Sequence, residues 1–248
     1  MLNTYILKMK KINFLLALFF CSLNVMSQPT LAGKKILVVY GGWEDHKPEF
    51  FAKKIVSWLE ERKANVTLSK TTSSYTDENL MASLDLVIQH ISMSEISRQE
   101  SEGLRKAIAS GVGLAGCHGG LGDSFRNDTE YQYMIGGQFV NHPGGQVKYK
   151  VNISDKTDPI TQGIDDFELI TEQYYMHIDP MIKVLATTKF NGDHDEWIDG
   201  VEMPVVWKKP YGKGRVFYCS LGHSKDIFEI PEVWTLITKG VSWAAQKD

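Results

Sequence analysis

The segment Ile36-Leu37-Val38-Val39-Tyr40-Gly41-Gly42-Trp43-Glu44-Asp45-His46-Lys47-Pro48 decides the architecture. A continuous apolar run bounded by glycines reads as a strand buried on both faces. Pro48 suits the first turn of a helix. Phe51, Ile55, Trp58 and Leu59 follow at helical spacing and give that helix one apolar stripe. Strand, glycine turn and helix together form the first half of a parallel crossover.

The same alternation continues downstream. Asn65 to Leu68 reads as a second strand, Asp77 to Ser83 as a short helix, and Leu84 to Ile91 as a third strand. Ser97-Arg98-Gln99-Glu100 has capping-box spacing, so a helix starts there. Leu104, Ala107 and Ile108 face the core, and Gly111 supplies the stop. Val112 to Cys117 is a fourth apolar run. Strands alternating with helices predict an α/β fold, a flavodoxin-like, mostly parallel sheet with helices on both faces. The second half changes character. Gln146–Ile153, Phe167–Thr171, Lys183–Phe190 and Met203–Lys208 look like strands with little helix between them. Pro210-Tyr211-Gly212-Lys213-Gly214 is a turn signal joining Pro204–Trp207 to Arg215–Tyr218 as an added antiparallel hairpin. Glu232 to Gln246 closes the chain as a helix with Val233, Leu236, Ile237, Val241 and Trp243 apolar.

Of 248 residues, 43% are hydrophobic and 23% charged, a globular balance that excludes wholesale disorder or a disulfide-dense miniprotein. The formal net charge of −3 is spread without a block of one sign, so no electrostatic footprint for nucleic acid or an anionic membrane is present. At the amino terminus, Lys8, Lys10 and Lys11 precede the apolar run Ile12–Leu23. That run has the length of a signal-peptide core and falls short of a stable membrane span. Val25 and Ser27 suit cleavage before Gln28, so residues 1–27 are expected to be a signal peptide and 28–248 a single domain, exported to the periplasm. Lipid modification at Cys21 is disfavoured by the bulky Phe19 and Phe20. Without the leader, only Cys117 and Cys219 remain, both in apolar strand-like runs. Two buried free thiols are expected in preference to a bridge.

Chemistry concentrates in histidines placed after strands, where open parallel sheets bind ligands. His46 follows the first strand, just before a helix. Gly116-Cys117-His118-Gly119-Gly120 follows the fourth strand and is shaped like a nucleophile elbow with His118 at the apex. A one-residue shift would put Cys117 there instead. Gly136-Gly137-Gln138-Phe139-Val140-Asn141-His142-Pro143 is a long glycine-rich loop of the kind that carries function. Thr171-Glu172-Gln173-Tyr174 and Leu221-Gly222-His223 bring a carboxylate, a phenol and another imidazole to strand ends. His177 is a weaker candidate. His194, with Asp193 and Asp195, fits a solvated turn, and His90 closes the third strand, where it lines the cleft or packs.

Taken together, these motifs resemble the ThuA-like (trehalose utilisation) family, and the later Pro204-Val205-Val206-Trp207 and Gly212-Lys213-Gly214-Arg215-Val216-Phe217-Tyr218 belong to the same pattern. The resemblance covers Lys34 to Ala245. It implies a class I glutamine amidotransferase-like fold that has lost its glutaminase triad. It also implies a setting in sugar catabolism, beside enzymes that oxidise glycosides to 3-keto sugars. No Cys is centred between glycines in an elbow, so glutamine hydrolysis is not expected.

The resulting expectation is an exported enzyme converting a 3-keto glycoside or disaccharide by hydrolysis, elimination or isomerisation. A keto group acidifies the neighbouring C–H, and an imidazole suits proton transfer near neutral pH. His118, His223 and Glu172 are the candidate catalytic residues. His46, His142, Trp43, Tyr174 and Phe139 are the candidate substrate-binding residues, the aromatics by stacking on sugar faces. As a variant, His46, His118, His142, His223 and Glu172 would hold Zn2+ or another divalent metal with an open position. The partner is a small carbohydrate, and self-association is left open. The rival reading is a non-catalytic sugar-binding module that partners exported carbohydrate-active enzymes.

Overall fold

The computed structural model describes residues 30–247. The expected leader over residues 1–27 and Cys21 lie outside the described residues. The chain forms β1 (Lys35–Gly42), α1 (Pro48–Glu61), β2 (Asn65–Ser69), α2 (Glu78–Ser83), β3 (Leu86–Ser92), α3 (Arg98–Ala109) and β4 (Gly113–Cys117). There follow the one-turn α4 (Gly119–Gly122), α5 (Thr129–Ile135), β5 (Gly137–Asn141), β6 (Gln146–Ile153), β7 (Phe167–Glu172), β8 (Tyr175–Ile178) and β9 (Lys183–Lys189). β10 (Glu202–Tyr211), β11 (Gly214–Cys219) and α6 (Pro231–Ala244) complete it.

Nine strands make one mixed sheet in the order β2-β1-β3-β4-β11-β10-β9-β6-β7. From β2 to β11 every neighbour is parallel. From β11 to β7 every neighbour is antiparallel. The β10–β11 hairpin is the hinge between the two halves: its second strand completes the parallel half beside β4. The antiparallel extension therefore reaches beyond the hairpin expected from sequence and takes in β9, β6 and β7.

Alternation along β1 shows why the first apolar run is continuous. Ile36, Val38 and Tyr40 enter one core layer with α1 and α6, through Phe51, Ile55, Leu59, Val233, Leu236 and Ile237. Leu37 and Val39 enter the opposite layer with α2, α3 and α5, through Met81, Leu104, Ile108 and Met134. Both faces are covered, so no polar position is tolerated within the strand. Phe51, Ile55 and Leu59 have no exposure, and each contributes about 1.5–3 kcal/mol relative to an exposed position. Cys117 and Cys219 sit opposite each other on β4 and β11, free and fully buried.

β5 and β8 form a separate two-stranded antiparallel ribbon. Two side chains of β10 pin it to the main sheet. The Trp207 indole donates to the carbonyl of Ile135 at 2.9 Å. The buried Lys209 ammonium donates to Asp179 and to the carbonyl of Tyr133, both at 2.7 Å. Among the described residues no helix is long and apolar enough to cross a membrane.

The capping box on α3 is present in full: Ser97 accepts from Glu100 N–H, and Glu100 reaches back to Ser97 N–H. Ser97→Ala is expected to cost about 1 kcal/mol of stability, read as a lower urea midpoint at unchanged slope. An unchanged midpoint would mean that α3 is held by packing alone.

Candidate active site

The carboxyl ends of β1, β3, β4, β11 and β7 meet at one rim of the sheet. His46 is carried there by a single 3-10 turn after β1, which buries its ring. Ser92 ends β3, and His118 links β4 to α4. His223 follows β11, and Glu172 ends β7. Backbone strain marks the same rim. Among the described residues, the non-glycine positions with positive φ are Lys47, Lys63, Met93, His118 and His223. Only Lys63 lies elsewhere: Lys47 and Met93 adjoin His46 and Ser92. Such conformations cost of order 1–3 kcal/mol each and persist where surrounding structure imposes them. His118 at φ 50°, ψ −146° is the apex of the expected elbow. The alternative register, with Cys117 at the apex, is not adopted: the Cys117 thiol faces the core beside the His90 ring, and burial pushes its pKa far up.

Close approach explains the glycines around that apex. A Cβ on Gly119 would lie 2.5 Å from the His46 ring, and one on Gly222 would lie 2.4 Å from the His118 Cβ. Both are well inside van der Waals contact, so any side chain at either position would displace an imidazole.

One donor atom from each of His46, His118, Glu172 and His223 lies within 4.8 Å of the others. His118 and Glu172 are almost completely buried. His118 Nδ1 lies 2.9 Å from the carbonyl oxygen of Ser220, which can only accept, so Nδ1 carries the proton. Nε2 then carries the free lone pair, and the Tyr174 hydroxyl, whose ring is stacked on the imidazole, lies 2.9 Å from it. Glu172 Oε2 stands 3.2 Å from that same Nε2. A neutral imidazole in this tautomer has no proton to offer the carboxylate, so two electron-rich atoms face each other. His223 Nδ1 lies 3.1 Å from Glu172 Oε1, without the angles of a hydrogen bond, and remains a buried atom with no partner. His46 Nδ1 is 2.7 Å from Ser92 Oγ, which leaves its Nε2 for a ligand.

The electrostatics agree with deprotonated imidazoles around a charged carboxylate. Burial, reinforced by His118, lowers the His46 pKa to about 2. Burial also lowers that of His118, against the pull of Glu172. His90 lies under the cluster, stacked on Phe51 at 4.3 Å between ring centroids, and burial takes its pKa to about 3. Burial alone would raise the Glu172 pKa. Only when they carry a proton toward it do the facing His118 and His223 outweigh burial and hold the carboxyl well below the usual range. Neutral histidines with an ionised carboxylate form the protonation state in which a divalent metal is bound.

The remaining candidates divide. His142 sits at the mouth, 40% exposed, with Nε2 3.8 Å from Glu172 Oε1 and a buried, unpartnered Nδ1. Trp43, 42% exposed, packs edge-on to His46 at 4.7 Å. Phe139 packs on Tyr174 and His142 at 4.4 and 5.7 Å. Tyr174 departs from the expected sugar-stacking role. It is buried and its ring is stacked on His118 at 4.4 Å, so it packs that imidazole in place. The complete burial of His118 likewise removes it from direct proton exchange with solvent. His177 is exposed on β8, and His194 lies on a separate exposed turn. Sequence reasoning missed Ser92 and the Ser220 carbonyl, which orient His46 and His118. It also missed Asp123 and Arg126, whose bidentate pair at 2.6 and 2.8 Å brings the guanidinium to 5.6 Å from the Phe139 ring.

Acid sensitivity follows. In the folded chain burial holds His46, His90 and His118 below the ordinary histidine value of about 6.5. Below that pH the unfolded chain binds more protons than the folded one, so stability is full above it and falls as pH drops. Glu172 adds a loss in the same direction below about pH 4.5, its unfolded value. Urea unfolding of chelator-treated protein should show a loss of several kcal/mol between about pH 7 and pH 5. A flat profile would mean that these imidazoles are already protonated in the folded state.

The trehalose utilisation (ThuA) profile matches residues 35–244. A ThuA-like protein from Bacteroides uniformis ATCC 8492 superposes with a TM-score of 0.73 at 17% identity, over 88% of this chain and 94% of that one. A second, from Parabacteroides merdae ATCC 43184, gives 0.70 at 20%, over 86% and 90%. A β-galactosidase from Bacillus circulans sp. alkalophilus matches over 84% of this chain but 30% of its own, at 12% identity and a TM-score of 0.50. At these identities the likeness is one of fold. No curated protein sequence matches the chain. The profile match spans the sheet from β1 to the end of α6 and includes every residue of the histidine–carboxylate cluster: the chain belongs to the ThuA, or trehalose utilisation, family.

Proposed function

We propose that this ThuA-family protein is a metal-assisted carbohydrate-converting enzyme, in which His46, His118, His223 and Glu172 hold a divalent cation such as Zn2+. The observation that carries this reading is the facing pair of lone pairs, His118 Nε2 and Glu172 Oε2, 3.2 Å apart with the only imidazole proton committed to Ser220. A cation held by these residues would turn that repulsion into ligation. Supporting it, the second nitrogens of His118 and His46 are held by Ser220 and Ser92, the outer-shell arrangement that orients metal-bound histidines. Nitrogen and carboxylate donors suit zinc or a similar first-row ion.

The substrate class is an oxidised glycoside or disaccharide, such as a 3-keto trehalose derivative. A bound cation would polarise the keto oxygen as a Lewis acid. The protein side of the reaction belongs to His142 at the mouth, which lies outside the ligand set and which solvent reaches, so it moves the proton of the acidified C–H and returns it to the leaving oxygen. Trp43 and Phe139 flank the opening and exclude water from the reacting ring. Tyr174, kept protonated by burial, fixes the His118 ring. The amino-terminal segment is read as a leader that delivers the protein to the periplasm.

Two measurements test this. Elemental analysis of protein loaded with zinc should find one ion per chain. Ser92→Ala, which frees His46, should weaken binding about 10–100-fold, and Glu172→Gln should weaken it further. Incubation with trehalose and its 3-keto derivative should yield product by mass spectrometry, lost in His223→Ala. A chain that takes up no metal sinks the centre. Intact substrates across pH and added metals sink the enzymatic reading and favour the sugar-binding module.

A further inference from the structure

Asp123 and Arg126 take no part in the chemistry assigned above, and stability alone explains them poorly. Asp123 directly follows α4, the one-turn helix that starts at the His118 elbow. Its backbone is held on both sides: its N–H donates to the Gly119 carbonyl at 3.2 Å, and its own carbonyl accepts from Met93 N–H at 2.7 Å. Its side chain is 3% exposed, and both carboxylate oxygens accept from Arg126. Burying a carboxylate is costly, and an ion pair with an exposed partner returns little. Arg126 is such a partner, with half of its side chain in solvent. What the pair does achieve is a guanidinium locked in one orientation.

That guanidinium stands at the mouth of the centre. The flanking Phe125 and Asn127 line a separate cleft beside Ser94 and Ile96, which Arg126 does not enter. Arg126 lies instead over the Phe139 ring, 5.6 Å from its centroid. Phe139 in turn packs on Tyr174 at 4.4 Å and on His142 at 5.7 Å. The hydrogen bonds to Asp123 raise the Arg126 pKa, and Tyr174, stacked on His118, adds to that rise. A ligand resting against Phe139 therefore has His142 and Arg126 both within reach.

A guanidinium presents its N–H donors in a rigid plane. Nε and Nη2 each spend one on Asp123, at 2.6 and 2.8 Å. Among the described residues Nη1 makes no hydrogen bond, so the edge shared by Nη1 and Nη2 is open. Such an edge is a fork for two neighbouring oxygens. Asp123 cancels the guanidinium charge, so the fork is matched to the uncharged oxygens of a sugar ring rather than to a carboxylate or phosphate.

We infer that Arg126 is a specificity-determining residue of the centre: with Asp123 fixing one edge, its open edge donates to two adjacent hydroxyl oxygens of the bound sugar and sets how the ring lies against the metal site. The inference rests on the carbohydrate reading of that site, and its test is separable because it measures binding without turnover.

Zinc-loaded protein is titrated calorimetrically with trehalose and with its 2-deoxy, 3-deoxy and 4-deoxy analogues. Arg126→Lys keeps a cation opposite the buried Asp123, so the fold is retained, but it removes the fork. It should weaken trehalose binding about tenfold or more while zinc uptake stays at the wild-type level. At least one deoxy analogue should lose a similar factor with the wild type and lose nothing further with Arg126→Lys, because the same hydrogen bond is deleted from either side. Trehalose bound equally by Arg126→Lys and the wild type, or deoxy losses that simply multiply with the variant's, overturns the inference and leaves the carbohydrate reading intact. A wild type that binds none of these sugars overturns both. Non-additive losses in a protein that turns nothing over keep the role of Arg126 and defeat the catalytic proposal.

Discussion

Glu172 keeps its charge where burial opposes it. A carboxylate in this position needs positive or polarised neighbours within a few ångströms, and the upper rim of the sheet is arranged around that need. His118 and His223 face its two oxygens from the ends of neighbouring strands, and His46 closes the third side. None of these imidazoles can retreat. Gly119 and Gly222 let them in only because they have no side chains, and two of the rings sit on backbone with positive φ. The strain, the glycines and the short elbow helix thus share one cause, the crowding of donors around a single anion.

The parallel half of the fold was legible in sequence because its strands are buried on both faces and read as unbroken apolar runs. The capping box at Ser97 and the proline at Pro48 marked helix starts in the same direct way. The ribbon of β5 and β8 was not legible. Its strands are short and separated by two others, and their flanks are held through Trp207 and Lys209 rather than by an alternation of their own. The extent of the antiparallel half was hidden for a similar reason: strand pairing across β9, β6 and β7 depends on partners remote in the chain.

Within the site, residue types with distinctive chemistry could be picked out, and His46, His118, Glu172 and His223 do meet. What orients them could not be read. Ser92 is one small residue at the end of a buried strand, and the Ser220 partner is a backbone carbonyl that any residue would supply. Tyr174 was visible as an aromatic near a carboxylate, but whether its ring faced outward or lay on His118 depended on the turn from β7 into β8. The Cys117 thiol points into the core, and the apex of the elbow holds the His118 imidazole.

His90 gives the centre a direction. It lies below His46, its ring pressed on Phe51 and its Nδ1 beside the Cys117 thiol, and its low pKa keeps it neutral throughout the physiological range. A neutral imidazole set in an apolar layer is an insulating floor: it neither stores a proton nor passes one down to the core. On the outward side, His223 and His142 are the imidazoles around Glu172 that are not fully buried, so contact with solvent is confined to that side of the described cluster.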